Sequence, residues 1–254
     1  MKTILITGAG TGIGSATAHL LAAQNDTALV LIGRRKEKLD EVLAELPNKD
    51  RHVAVSADVS DKESFRAMLK TINADERDIY ALFANAGIGG ENTYGEGDRW
   101  NDILNVNLNG TYISIMETLP YLRKSKQPFR HILMTSSCLA RFGVPNYTAY
   151  CTSKAGLLGL TRSLAVELGS EHILVNALTP GWVHTKMAKQ GIQLLADRAD
   201  KPYEQEFNEQ MSYVPLNRIS EPEEIAHFVA YLFSPMQRSI TGQGLDINNG
   251  SWMQ

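Results

Sequence analysis

Ile4-Leu5-Ile6-Thr7-Gly8-Ala9-Gly10-Thr11-Gly12-Ile13-Gly14-Ser15-Ala16-Thr17 is the stretch on which the reading of the fold turns. An apolar run is broken by glycine at every second position, and helical periodicity then begins. A strand that ends in a glycine-rich turn and opens a helix offers free backbone N–H groups and a positive helix end, where a pyrophosphate docks. Glycine suits the place because a Cβ would block close approach and oppose a tight turn. The spacing is T-G-x-x-x-G-I-G. It is not G-x-G-x-x-G, because Ile13 stands in the way, and it is not a phosphate loop, because no Gly-Lys-Ser/Thr follows.

Outward from that turn the chain alternates. Strands are expected at residues 2–7, 28–32, 52–57, 79–83, 130–135, 173–178 and 245–247. Helices are expected at residues 14–23, 36–46, 61–72, 102–122, 148–168 and 223–232. Short apolar runs separated by helical patterns imply a parallel sheet covered on both faces. The expected fold class is α/β: a doubly wound parallel sheet of Rossmann type, in one domain spanning residues 1–254. Ligands of such sheets sit at the carboxyl ends of the strands. The polar segment 186–214, with Gly191 and Pro202, breaks the alternation and is expected to be a lid or binding loop.

Composition narrows the function. Of 254 residues, 43% are hydrophobic and 21% charged, as in globular proteins generally. The net charge of −3, with no long basic block, gives no electrostatic reason to expect nucleic acid. No apolar run reaches the roughly 18 residues needed to span a bilayer, so no membrane partner is expected. Two cysteines, Cys138 and Cys151, do not make a disulfide framework. A cytoplasmic location is the expectation. The six histidines show no ligand spacing, and no metal is expected.

The second strand ends at Ile32-Gly33, followed by Arg34-Arg35. A protein that prefers NAD(H) places Asp or Glu there to hold the ribose 2′-hydroxyl. Here the slot falls on Gly33, and Arg34 can pair with a 2′-phosphate, so NADP(H) is expected to be preferred over NAD(H).

Tyr150 and Lys154 stand four apart on an expected helix, hence on one face. A tyrosine with pKa near 10 is a poor base, and a neighbouring ammonium favours its phenolate. The pair reads as a general acid/base. Ser137 ends the strand at 130–135 and can hydrogen-bond a substrate carbonyl oxygen.

With these pieces in order, the sequence resembles the single-domain branch of the short-chain dehydrogenase/reductase family over essentially its whole length. The matching segments are Thr7–Gly14, Asp58-Val59, Asn85-Ala86-Gly87, Asn107, Ser137, Tyr150 with Lys154, Asn176, Pro180-Gly181 with Thr185, and the late runs Pro215–Arg218, Pro222–Ile225 and Thr241-Gly242. The resemblance implies interconversion of a ketone and a secondary alcohol. Tyr150 would exchange the proton, Ser137 would orient the substrate oxygen, and Lys154 would tune the tyrosine and hold the nicotinamide ribose. Asn107 would hold a relay water. Gly8, Gly10, Thr11, Gly12, Ile13 and Gly14 would cradle the cofactor, Asp58 and Val59 would flank its adenine, and Asn85, Ala86 and Gly87 would pack along it. Pro180, Gly181, Val183 and Thr185 would position the nicotinamide. A homotetramer, or a homodimer, is implied too.

Ala84, Ala140 and Asn248-Asn249 depart from the family pattern but remove no catalytic group. Trp182, His184, Arg141, Phe142 and Tyr147 flank the expected substrate position, and Arg141 would suit an anionic substrate. Cys151 is expected in the core. The competing reading is a cofactor-bound sensor or regulatory protein without turnover; a nucleotide-sugar epimerase would need a larger C-terminal region.

Overall fold

The computed structural model describes residues 1–253. Its strands are β1 (Lys2–Thr7), β2 (Thr27–Gly33), β3 (Val53–Ser56), β4 (Asp78–Ala84), β5 (Arg130–Thr135), β6 (Ile173–Pro180) and β7 (Gly244–Ile247). They form one sheet in the order β3-β2-β1-β4-β5-β6-β7, every pair parallel. The direction of winding reverses between β1 and β4. All carboxyl ends therefore lie on one edge, with the switch point in the middle of the sheet.

The helices are α1 (Gly12–Ala22), α2 (Lys36–Glu45), α3 (Lys62–Thr71), α4 (Trp100–Leu104), α5 (Gly110–Lys124), α6 (Thr148–Leu168), α7 (Lys186–Ala199), α8 (Tyr203–Ser212) and α9 (Pro222–Leu232). Side chains that alternate along a strand feed two cores. Leu5 faces Phe65, Ile115 and Leu157 from α3, α5 and α6. Its neighbours Ile4 and Ile6 face Leu21, Leu39 and Val229 from α1, α2 and α9. Both faces being covered is why the strands read as unbroken apolar runs, and each such fully buried aliphatic side chain contributes roughly 1.5–3 kcal/mol.

Two segments differ from their sequence expectation. The single helix expected at 102–122 is interrupted by a π turn, Asn105–Asn109, in which the Asn105 carbonyl accepts from the Gly110 N–H five residues on. Gly110 lies so close to the loop after β3 that a Cβ there would be 2.9 Å from Cγ2 of Val59. Segment 186–214 is mostly helical. The break between α7 and α8 comes at Asp200, in the left-handed conformation (φ 52°), followed by Pro202, which cannot continue a helix. Among the described residues no helix is long and apolar enough to cross a membrane.

Candidate active site

The turn between β1 and α1 is shaped by its glycines. Gly8 and Gly12 have φ of 68° and 56°, which an L side chain resists. Thr11, at the N-cap of α1, is extended and makes no side-chain cap bond among the described residues, and no acidic residue stands in the first turn. The leading N–H groups of α1 thus point at the turn, with the positive helix end behind them. Gly10 faces Lys38, and Ile13 packs on the α1 core. Thr185 comes over the turn from beyond β6: a Cβ on Gly12 would be 3.0 Å from its Cγ2. Its hydroxyl caps α7 by accepting from the Ala188 N–H at 3.3 Å. Pro180 ends β6, Gly181 packs on the backbone of Asn248, and Val183 is buried.

Gly14 has a different task. A Cβ there would sit 2.3 Å from the Gly8 carbonyl oxygen. Gly14→Ala is expected to lower stability by about 2 kcal/mol or more, since the blocking atom is backbone and the turn must open. Urea unfolding monitored by circular dichroism measures this.

Further along the sheet edge, Arg34 is exposed after β2. Burial pushes the Asp58 carboxyl up, but the Ser60 hydroxyl and N–H, with the charge of Arg34, outweigh it and hold the carboxyl below its usual range. The Asn85 side chain is a strut. Its Nδ2 donates to the Thr7 carbonyl at 3.2 Å, and its Oδ1 accepts from the Thr135 hydroxyl at 3.0 Å. The Thr7 hydroxyl accepts from the N–H groups of Asn85 and Ala86. This ties β1, β4 and β5 together at the switch point, and both polar atoms of the Asn85 amide are engaged within the chain.

Ser137, Tyr150, Lys154 and Asn107 converge beside this strut. The Ser137 hydroxyl lies next to the Tyr150 phenol and favours its ionised form, but burial dominates and pushes Tyr150 up to about 12. Burial likewise pushes Lys154 down to about 8. The Lys154 ammonium is 5.6 Å from the Tyr150 ring centroid and donates to the Thr135 carbonyl at 2.7 Å. A Cβ on Gly87 would be 3.4 Å from Lys154 Nζ and 3.2 Å from Asn107 Oδ1. The spacing of Tyr150 and Lys154 suggested a tyrosine tuned downward; within the chain by itself the phenol keeps its proton.

Asn107 is fully buried in the π turn. Its Oδ1 accepts from the Ile88 N–H at 2.8 Å, and its Nδ2 donates to the Ile88 carbonyl at 3.0 Å and to the Ser153 hydroxyl at 3.1 Å. Both amide hydrogens are consumed, one in clamping the loop after β4 and the other on Ser153 in α6. The side chain is a structural clamp as well as a candidate relay group.

The family model described as Enoyl-(Acyl carrier protein) reductase matches residues 8–251. A 3-oxoacyl-[acyl-carrier-protein] reductase of Staphylococcus aureus is 33% identical over 99% of this chain and 98% of its own. The chain belongs to the short-chain dehydrogenase/reductase family. A similar reductase from Vibrio harveyi is 34% identical over 99% of this chain and 98% of its own. Among solved structures, actinorhodin polyketide ketoreductase with NADPH superposes with a TM-score of 0.91 at 28% identity, covering 98% of this chain and 97% of its own. Levodione reductase superposes at 0.88, with 29% identity and coverage of 98% and 96%. The protein is an oxidoreductase of this family, an NAD(P)-dependent dehydrogenase/reductase.

Some residues of this dehydrogenase/reductase behave differently from their sequence reading. Arg141 does not reach out to an anionic substrate: its guanidinium donates to the Gly244 carbonyl at 3.0 Å and pairs with Asp246 at 3.3 Å, pinning the turn after β5 to β7. Cys151 is half-buried rather than in the core, whereas Cys138 is buried and its thiol is pushed up to about 11 by burial. The ion pair of Arg198 in α7 with Glu91 went unread. It lies 107 positions apart in sequence, and no local pattern signals it. It holds α7 against the loop after β4, where a Cβ on Gly89 would be 3.0 Å from Sδ of Met187.

Proposed function

We propose that the protein reduces a ketone to a secondary alcohol with NADPH as hydride donor. The convergence of Ser137, Tyr150 and buried Lys154 beside the glycine turn carries this reading. The nicotinamide supplies hydride at C4 when bound. Ser137 holds the carbonyl oxygen and polarises it. Tyr150, kept protonated by burial, is a proton donor to that oxygen as negative charge develops. Lys154 lies close enough to steady the phenolate left behind. Its hydrogen bond to Thr135 fixes it to the end of β5. Asn107 sets the Ile88 loop and Ser153, one residue before Lys154. The Gly8–Gly14 turn takes the diphosphate, Asp58 and Val59 flank the adenine, and residues 180–185 face the nicotinamide. We assign α7 and α8 to the lid over the substrate, which the Arg198–Glu91 pair and the Met187 contact support.

Preference for NADPH rests on Arg34, exposed beside Gly33, the position where a carboxylate would stand in an NAD enzyme. A charge-assisted bond to the 2′-phosphate is worth roughly 1.5–3 kcal/mol, so Arg34→Ala is expected to weaken NADPH about tenfold or more. NADH binding is expected to stay unchanged. Titration of both cofactors by intrinsic fluorescence reads this; equal losses for the two would refute the assignment. The Staphylococcus aureus and Vibrio harveyi relatives are 3-oxoacyl-[acyl-carrier-protein] reductases, so 3-oxoacyl thioesters are the first substrates to test, followed by cyclic ketones, sugar ketones and diketones. Consumption of NADPH with one class and not the others identifies the substrate class.

A further inference from the structure

The helix that carries Tyr150 lacks a cap of its own. Tyr147 occupies the N-cap position of α6 and provides no side-chain bond to the exposed N–H groups among the described residues. Four leading N–H groups of any helix need partners from outside its own ladder. One of them is served from far away. Asn92 Oδ1 accepts from the Ala149 N–H at 2.8 Å and from the Thr148 hydroxyl at 3.0 Å. Asn92 stands 57 positions before Ala149 in sequence, in the loop after β4, and is buried.

Asn92 is itself fixed from three sides. Its backbone N–H donates to the Asn146 carbonyl at 2.8 Å, in the turn that leads into α6. Its Nδ2 donates to Asp98 at 3.2 Å, and Asp98 also accepts from the Trp100 N–H at 3.0 Å, at the start of α4. The preceding residue, Glu91, is gripped by both terminal nitrogens of Arg198 in α7. The loop therefore joins the lid helix, the start of α4 and the first turn of α6. Tyr150 is the third residue of that turn.

We infer that Asn92 is a positioning residue for Tyr150: it supplies the missing cap of α6 and so sets where the phenol stands. The inference rests on the proposed role of Tyr150. A side chain in the first turn of a helix moves with the backbone there, and a misplacement of about 1 Å in a reacting group can cost about a hundredfold in rate. Neither the glycine turn nor Arg34 touches Asn92, so cofactor affinity is independent of it.

The test uses the full chain with Asn92→Ala and with the double variant Asn92→Asp, Asp98→Asn. The double variant keeps an oxygen facing Ala149 and Thr148, removes the charge of Asp98 that would repel it, and places the negative charge at a helix N-terminus that favours it. Asn92→Ala is expected to lower kcat about ten- to a hundredfold well below its melting temperature, with NADPH affinity unchanged. Amide hydrogen exchange across residues 146–152 is expected to quicken. The double variant is expected to restore both. A lowered melting temperature with kcat and exchange unchanged would overturn the inference, because the bond would then serve stability alone. Should the unaltered protein turn over no ketone, the proposed function falls by itself; exchange at 146–152 still decides Asn92, and exchange unaffected by Asn92→Ala overturns the inference.

Discussion

Tyr150→Phe is expected to lower kcat for ketone reduction by about 10²- to 10⁴-fold while NADPH affinity stays as it was. The substitution removes one oxygen and keeps the ring, which packs edge-on against Tyr147 at 6.3 Å between centroids. Helix α6 and the Lys154–Thr135 bond have no reason to move. Ser137 remains to polarise the substrate oxygen, but a serine hydroxyl is a far weaker acid than a phenol. Pre-steady-state turnover, with a separate cofactor titration, divides the two effects. Loss confined to kcat marks a group that acts in the transition state, whereas loss confined to KM would make Tyr150 a binding residue.

Lys154→Met is expected to act in opposite directions on rate and on the pH dependence of stability. Removing a charge that faces a developing anion costs about 10²- to 10³-fold in rate. Stability follows from the pKa. Burial brings the folded value to about 8 from a reference of 10.5. Below pH 8 the ammonium is charged in both states, and its burial costs the fold. Between pH 8 and 10.5 the native protein has released the proton and the unfolded chain has not, so stability due to this group rises with pH. At 1.36 kcal/mol per unit, that rise is about 3 kcal/mol across the window. The stability of wild type relative to Lys154→Met should climb by about this much from pH 7 to 10.5 in urea unfolding. A constant difference would mean that Lys154 is solvated. The rate of reduction by the unaltered protein should fall as pH rises through about 8, as the lysine loses its charge.

The parts of this account that were legible in the sequence are those written locally. Strand β1, strand β5 and helix α6 have the bounds that the apolar runs and turn residues indicate, because burial on both faces leaves a continuous apolar run and glycine or proline marks the ends. Tyr150, Lys154, Ser137 and the glycine turn were legible for the same reason: their chemistry needs fixed spacing within one element or one turn. What escaped is tertiary. The π turn at Asn105–Asn109 depends on how Gly110 meets Val59, although Asn105, Asn107, Asn109 and Gly110 are poor helix formers that could have signalled a break. Arg141 read as a substrate ligand because its partner Asp246 lies 105 positions away. The direction of the Tyr150 shift was missed because spacing shows the nearby lysine and not the burial that raises the phenol. Asn92 carries no motif at all; only the folded chain sets its amide against Ala149.

Hydride transfer itself is the central claim, and labelled cofactor tests it most directly. The purified protein would be mixed with NADPH deuterated at nicotinamide C4, in separate preparations for each face, and with each ketone class in turn. Mass spectrometry of the product would follow. Deuterium is predicted on the carbinol carbon of one substrate class, from one face only, and its transfer should nearly vanish in Tyr150→Phe. Tight NADPH binding with no deuterium in any product would contradict the account and favour a cofactor-bound sensor.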